Sequence, residues 1–139
     1  MKLLITGASS FVGAHFALEA ARAHEVVAAF YSTPLLLPRI SSIRVDLCSP
    51  RAQLQLRKLD IDAVVHLACK IKSQKGNKQT PEEQNNAMLE QLIALGKPIL
   101  YGSSTAVHWS KETPYVLSRR RDEERECGTR ETKGRSLRK

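Results

Sequence analysis

An apolar run, Leu3-Leu4-Ile5, starts almost at the first residue and gives way to Thr6-Gly7-Ala8-Ser9-Ser10-Phe11-Val12-Gly13. The pattern that follows, Ala14-His15-Phe16-Ala17-Leu18-Glu19-Ala20-Ala21, is helical. A strand, a glycine turn and a helix in this order constrain the chain more than any other feature, because they commit its start to an α/β unit. Gly7 lets the chain turn sharply off the strand. Gly13 lets the helix pack close to the sheet. The first helical turn offers free N–H groups and a positive dipole end, which suit a pyrophosphate. Gly7, Ser9, Ser10, Phe11, Val12 and Gly13 are therefore candidate contacts for one. Ser10 stands where a G-x-x-G-x-x-G spacing has its middle glycine. Its Cβ can crowd a phosphate, or its hydroxyl can donate to one. An ordinary strand-to-helix connection in an α/β protein has the same outline.

The chain has 139 residues, enough for one domain with a real core but short for a nucleotide-dependent enzyme with its own substrate domain. No apolar run approaches the length of a membrane span, and the apolar stretch at the start is too short for a signal-peptide core. A cytoplasmic location is the expectation. Cys48, Cys69 and Cys127 have neither metal-ligand nor disulfide-framework spacing and read as reduced thiols. The net charge of +8 raises nucleic acid as a partner. Its distribution argues against that: half of the excess lies in residues 119–139, where no aromatic side chain is available to stack on bases. A solvated helix end with a loose tail explains it as well.

Short runs rich in Val, Ile and Leu alternate with helical patterns. The strand candidates are 2–6, 25–30, 43–45, 63–67 and 98–101; the helix candidates are 11–23, 50–59 and 81–95, with a further helix from Pro114 through Arg125. Pro50 and Pro81 suit first turns, and Gly96 suits a helix end. Strands of this kind are those of a parallel sheet covered on both faces. The expected fold is an α/β, Rossmann-like doubly wound sheet of about five parallel strands in order 3-2-1-4-5. Residues 33–39, with two prolines, and the polar stretch 71–80 read as irregular connections. After Glu126 a single aliphatic residue remains, Leu137. Residues 1–126 thus read as the folded domain and 127–139 as a disordered basic tail.

Three stretches carry candidate chemistry. Asp46 closes the run Ile43-Arg44-Val45, where a carboxylate at a strand's carboxyl end can reach an adenine amino group; capping the next helix is the alternative. Val64-Val65-His66-Leu67-Ala68-Cys69 opens a buried strand into small residues that would let a cofactor lie against the backbone. His66 there reads as a packed core residue rather than a catalyst. Ile99-Leu100-Tyr101-Gly102-Ser103-Ser104 is a strand followed by hydroxyls, and Tyr115 lies eleven residues past Ser104. Tyr115 and Arg119 are i and i+4 on a helix and share a face. A guanidinium beside a phenol favours the phenolate. With a serine hydroxyl opposite, the set could move a proton to or from an alcohol while hydride moves to or from a nicotinamide.

These pieces occur in the order of one family. From Met1 to about Glu124 the chain resembles the extended short-chain dehydrogenase/reductases, in particular the NAD(P)-dependent epimerase/dehydratase group of nucleotide-sugar enzymes. The resemblance implies that Thr6–Gly13 is the glycine motif, that Asp46 and Leu47 contact adenine, and that Leu67, Ala68 and Cys69 line the cofactor. Asn85-Asn86 resembles the family's asparagine in the following helix, with Asn86 the better match. The resemblance also makes Tyr115 the acid/base, Ser104 its hydroxyl partner and Arg119 the neighbouring cation, with Tyr115 and Arg119 also touching the cofactor. NADP or NAD is the implied cofactor and a nucleotide-linked sugar the implied substrate. With no acid after Phe30, and with Ser32, Thr33 and Arg39 nearby, the expectation leans to NADP.

Four departures stand out. Ser10 replaces the second glycine, Arg119 replaces a lysine, and the segment from Ser104 to Tyr115 is short. The chain is also expected to be truncated before the family's substrate domain. That leaves the strand 98–101 as an apolar edge open to self-association. A non-catalytic nucleotide-binding domain is the alternative reading.

Overall fold

The computed structural model describes residues 1–72, 76, 78–108 and 110–136, with the backbone alone described for 126–136. The chain divides into two compact units, Met1–Gly102 and Ser103–Lys139. The first holds strands β1 (Lys2–Thr6), β2 (Glu25–Phe30), β3 (Ile40–Arg44), β4 (Ala63–His66) and β5 (Ile99–Tyr101). Its helices are α1 (Phe11–Ala20), α2 (Ala52–Arg57) and α3 (Pro81–Ile93). The second holds a short 3-10 helix, Thr105–His108, and α4 (Pro114–Ser136).

The strands form one parallel sheet in the order β3-β2-β1-β4-β5, as the sequence implied. Side chains alternate between its faces. Leu4, Val27, Val64 and Ile99 are in register across β1, β2, β4 and β5 and point to one side. There they meet Ala52 and Leu56 of α2 and Met88 and Leu92 of α3. Ile5, Ala28 and Val65 are in register on the other side and meet Ala17 of α1. Helices on both faces make the sheet doubly wound, which is why its central strands read as continuous apolar runs.

β1 and β2 have the expected bounds, but β3 runs over Ile40–Arg44 rather than 43–45. It is an edge strand, and its Ser41 and Ser42 are exposed, so an apolar run was the wrong guide to its start. α1 stops at Ala20 because residues 22–24 turn back through bonds from Arg22 N to Glu19 O and from Ala23 N to Ala20 O. α2 begins at Ala52 rather than Pro50. α3 begins where Thr80 and Glu83 form a reciprocal capping box, and Gly96 follows its end at φ 68°.

α4 continues to Ser136, beyond the expected Arg125. Arg, Lys and Glu are good helix formers, and Glu126 and Arg130 stand at i and i+4. Composition marked the loss of core-forming residues there, which is a different property from backbone helicity. Where a disordered tail was expected over 127–139, the backbone of 127–136 is helical, and 137–139 lie outside the described residues, as do 73–75 and 77 of the expected loop.

Leu92 is fully buried between α3 and the sheet, whereas Leu54 on α2 is 59% exposed. Leu92→Ala should cost about 2–5 kcal/mol, and Leu54→Ala should stay within about 0.5 kcal/mol. Urea denaturation followed by circular dichroism distinguishes the two; equal midpoints would contradict this packing.

Candidate functional site

β1 has β2 on one side and β4 on the other, so the chain reverses direction across the sheet at the β1/β4 boundary. Loops leaving the carboxyl ends of such strands part there and leave a crevice. A cleft of about 500 Å³ occupies it. Its walls come from Gly7 and Ser10 after β1, Ala29–Tyr31 at the end of β2, Val45–Cys48 after β3 and Leu67–Ile71 after β4, with Gln79, Gln84 and Met88 at the side of α3.

Gly7 has φ 71°, and a Cβ on it would lie 2.6 Å from the Ala68 amide nitrogen. It is both a turn residue and a point of contact with the end of β4. A Cβ on Gly13 would overlap the Gly7 carbonyl oxygen, so Gly13 is needed for closeness to the turn itself. Ser10 lines the cleft, and within the folded chain its hydroxyl already has partners. Its hydroxyl donates to the Gly7 carbonyl at 2.8 Å and accepts from the Gly13 amide at 3.0 Å, capping α1. Ser9 is tied by its hydroxyl to the Thr33 carbonyl, which joins the turn to the segment after β2. The side chains of Phe11 and Val12 are exposed and do not line the cleft. As first-turn residues they have amides with no partner inside the helix, so their contribution to a ligand would be through the backbone.

Asp46 lines the cleft, and its Oδ1 accepts from the Cys48 amide at 3.0 Å. It does not cap α2, whose cap position is Arg51 without a side-chain bond. Leu47 is mostly core but also borders the cleft. Leu67, Ala68 and Cys69 line it as expected. His66 is a core residue: its Nδ1 shares a 2.6 Å hydrogen bond with the buried Thr6 hydroxyl, which also accepts from the Ala68 amide. This links β1 to the loop under Gly7.

The adjacent asparagines divide their work differently from the expectation. Asn86 faces along α3 and donates to Glu90 at 3.3 Å, and it is not among the lining residues. Asn85 is buried and holds the Lys70 backbone at both ends, accepting from its N–H at 2.7 Å and donating to its C=O at 2.9 Å. Lys70 itself, with Tyr31 and Gln84, lines the cleft without having been singled out from sequence. The signal for Lys70 was a cation directly after Ala68 and Cys69, the small residues that follow β4. Ser32, Thr33 and Arg39 do not line it.

The second unit contains Ser104, Tyr115 and Arg119. Ser104 Oγ accepts from the Ala106 amide at 3.2 Å and caps the 3-10 helix. The Arg119 guanidinium carbon lies 5.5 Å from the centre of the Tyr115 ring, a cation–π contact that realises the expected i,i+4 pairing. Among the described residues no group of His, Cys, Asp and Glu is arranged to hold a metal ion, and no helix is long and apolar enough to cross a membrane.

Gly13→Val should remove ligand binding at the cleft and lower the melting temperature, since the larger side chain displaces the turn. Calorimetry and thermal melts measure both; unchanged binding would refute the cradle. Burial, reinforced by Asp46 and opposed by Lys70, pushes the Cys48 thiol up from its ordinary value. Iodoacetamide at mildly alkaline pH should therefore label Cys48 more slowly than a free cysteine, because the thiolate is the nucleophile. Peptide mass mapping over time reads this, and a rate equal to that of the free thiol would contradict it.

Comparison with known proteins places this geometry. The family model described as "NAD dependent epimerase/dehydratase family" matches residues 3–126. No match is found among curated proteins. A GalE-like L-threonine dehydrogenase from Cupriavidus necator in its holo form is similar in structure, with TM-score 0.76, 18% identity, 89% of this chain and 48% of that one. An ADP-L-glycero-D-manno-heptose-6-epimerase from Helicobacter pylori gives TM-score 0.70 at 20% identity over 88% and 49%. A UDP-glucuronic acid 4-epimerase from Bacillus cereus in complex with NAD gives TM-score 0.65 at 22% identity over 89% and 50%. The chain thus spans about half the length of these structures. The match of the family model over most of the chain, on a doubly wound sheet with its glycine turn at the switch point, shows that the protein belongs to the NAD-dependent epimerase/dehydratase family.

Proposed function

We propose that Met1–Gly102 binds an NAD(P)-type dinucleotide in the cleft. The reading extends to the chain as the dinucleotide-binding part of an enzyme that oxidises or reduces a nucleotide-linked sugar. The glycine cradle carries it: at Gly7 and Gly13 the space of a Cβ is already filled by backbone, so only glycine lets the turn close against the loop after β4 and lets the start of α1 close against the turn beside the cleft. The first-turn amides of α1 would hold the pyrophosphate, Asp46 and Leu47 the adenine, and Leu67–Cys69 the remainder. NADP and NAD are both candidates, and the family's NAD dependence supports the class. The family match over 3–126 supports 1–126 as the nucleotide-binding domain.

The bound nicotinamide would supply a hydride acceptor or donor. The chain's own part is proton handling. The Tyr115 hydroxyl gives or takes the proton of a substrate alcohol, the Ser104 hydroxyl hydrogen-bonds the same oxygen, and Arg119 sets positive charge against the Tyr115 ring. A guanidinium places its donors differently from an ammonium, so ribose placement by Arg119 differs from that by the family's lysine. The names of the heptose and glucuronic acid epimerases support a nucleotide-linked sugar, while the threonine dehydrogenase has the same fold with another substrate. This chain covers about half of each of those proteins.

A binding domain with little catalysis of its own is the second reading, favoured by that half coverage. Near-attack positioning of a substrate can be worth about 7–11 kcal/mol of barrier, so turnover depends on how firmly the sugar is held. β5 forms an edge of the sheet with Leu100 exposed, which supports self-association there. In calorimetry the chain should bind NAD or NADP, with at most trace turnover of UDP-linked sugars, and Arg119→Lys should not fully restore it. Absence of binding by both cofactors would overturn the dinucleotide reading. Robust turnover abolished by Tyr115→Phe would overturn the non-catalytic one.

A further inference from the structure

A second cavity, of about 530 Å³, opens beside the cleft and shares Tyr31, Val45 and Asp46 with it. Its remaining wall carries Arg44, Arg51 and Lys58, from the end of β3 and the two ends of α2. Arg44 Nε donates to the Tyr31 carbonyl at 3.2 Å, which fixes that guanidinium at the seam between the two cavities. Among the described residues, no hydrogen bond or ion pair engages the Arg51 guanidinium or the Lys58 ammonium. The single acid in the lining, Asp46, already has one oxygen on the Cys48 amide. Three cations on one concave wall repel one another, and an anion seated among them relieves that repulsion.

The position narrows the choice of anion. The seam lies at Tyr31, directly after β2, and in a dinucleotide bound across such a sheet the adenosine ribose sits at the end of this strand. No acid follows Phe30 to hydrogen-bond a 2′-hydroxyl or to repel a 2′-phosphate. Arg39, which the sequence suggested for this role, is exposed in a turn at φ 63° and lines neither cavity. A phosphate monoester matches the donor set, since guanidinium forks bind its oxygens in pairs and an ammonium adds a point charge.

We propose that Arg44, Arg51 and Lys58 form a subsite for the 2′-phosphate of an adenine dinucleotide, so that this chain prefers NADP to NAD. The proposal rests on the reading that the cleft takes a dinucleotide. Calorimetry on the full chain and on Arg51→Gln/Lys58→Gln tests it, with four probes: NAD, NADP, 5′-AMP and adenosine 2′,5′-bisphosphate. Both altered side chains are exposed and keep much of their aliphatic length, and circular dichroism checks the fold. The unaltered chain should bind NADP about tenfold more tightly than NAD, and the preference should shrink in high salt. The double variant should lose about tenfold for NADP and for the bisphosphate while NAD and 5′-AMP stay within about twofold, as expected when charge-assisted bonds to one phosphate are removed. NAD binding with no NADP preference, or a preference that survives in the double variant, overturns the subsite. Failure of all four probes to bind the unaltered chain overturns the cleft reading beneath it.

Discussion

Everything that shapes the cleft depends on the backbone of Gly7 touching the backbone of Ala68. Two strands far apart in sequence, β1 and β4, are brought edge to edge by their ladder, and their ends must then diverge. The contact at Gly7 sets how far apart the two loops start. Thr6 and His66 brace it from below, with a hydroxyl that serves the imidazole of one strand and the amide of the loop beyond it. A polar pair this deep is tolerable only because its bonds are made, and those bonds lie just under the site.

Above that contact the glycine turn is satisfied from within. Ser10 occupies the position at which the family pattern has a second glycine, and it compensates by joining the turn's carbonyl to the helix's third amide. The hydroxyl that this departure adds finds both of its partners inside the turn. Ser9 then ties the turn to the segment after β2. The cradle is thereby held by its own short polar side chains, while the helix behind it supplies the field.

Much of this was legible in the residues. β1 and β2 could be bounded from their apolar runs because strands covered on both faces leave no polar alternation to confuse them; the alternation of strands and helices implied a parallel sheet, and the strand order came with the family resemblance. β3 was less legible because an edge strand tolerates Ser41 and Ser42 facing water. Asp46 was placed at the cleft, yet the Asx bond to Cys48 rather than a helix cap needs coordinates to see. The choice between Asn85 and Asn86 is a matter of about 100° of rotation around α3, which a motif cannot resolve when two like residues are adjacent. Arg44, Arg51 and Lys58 were invisible as a group because two helix ends and a strand end bring them together. The pairing of Tyr115 with Arg119 was legible because it is local to one helix.

The double bond from Asn85 to the backbone of Lys70 has a mechanical meaning. One side chain presents an acceptor and a donor to a single residue, which is what a neighbouring strand would offer. The loop beyond β4 therefore behaves as though the sheet had one more rung, supplied by a helix. Any sliding of α3 along its axis would drag that rung and with it one wall of the cleft. The capping box at Thr80 and Glu83 fixes where α3 begins, so it acts as the latch on that wall.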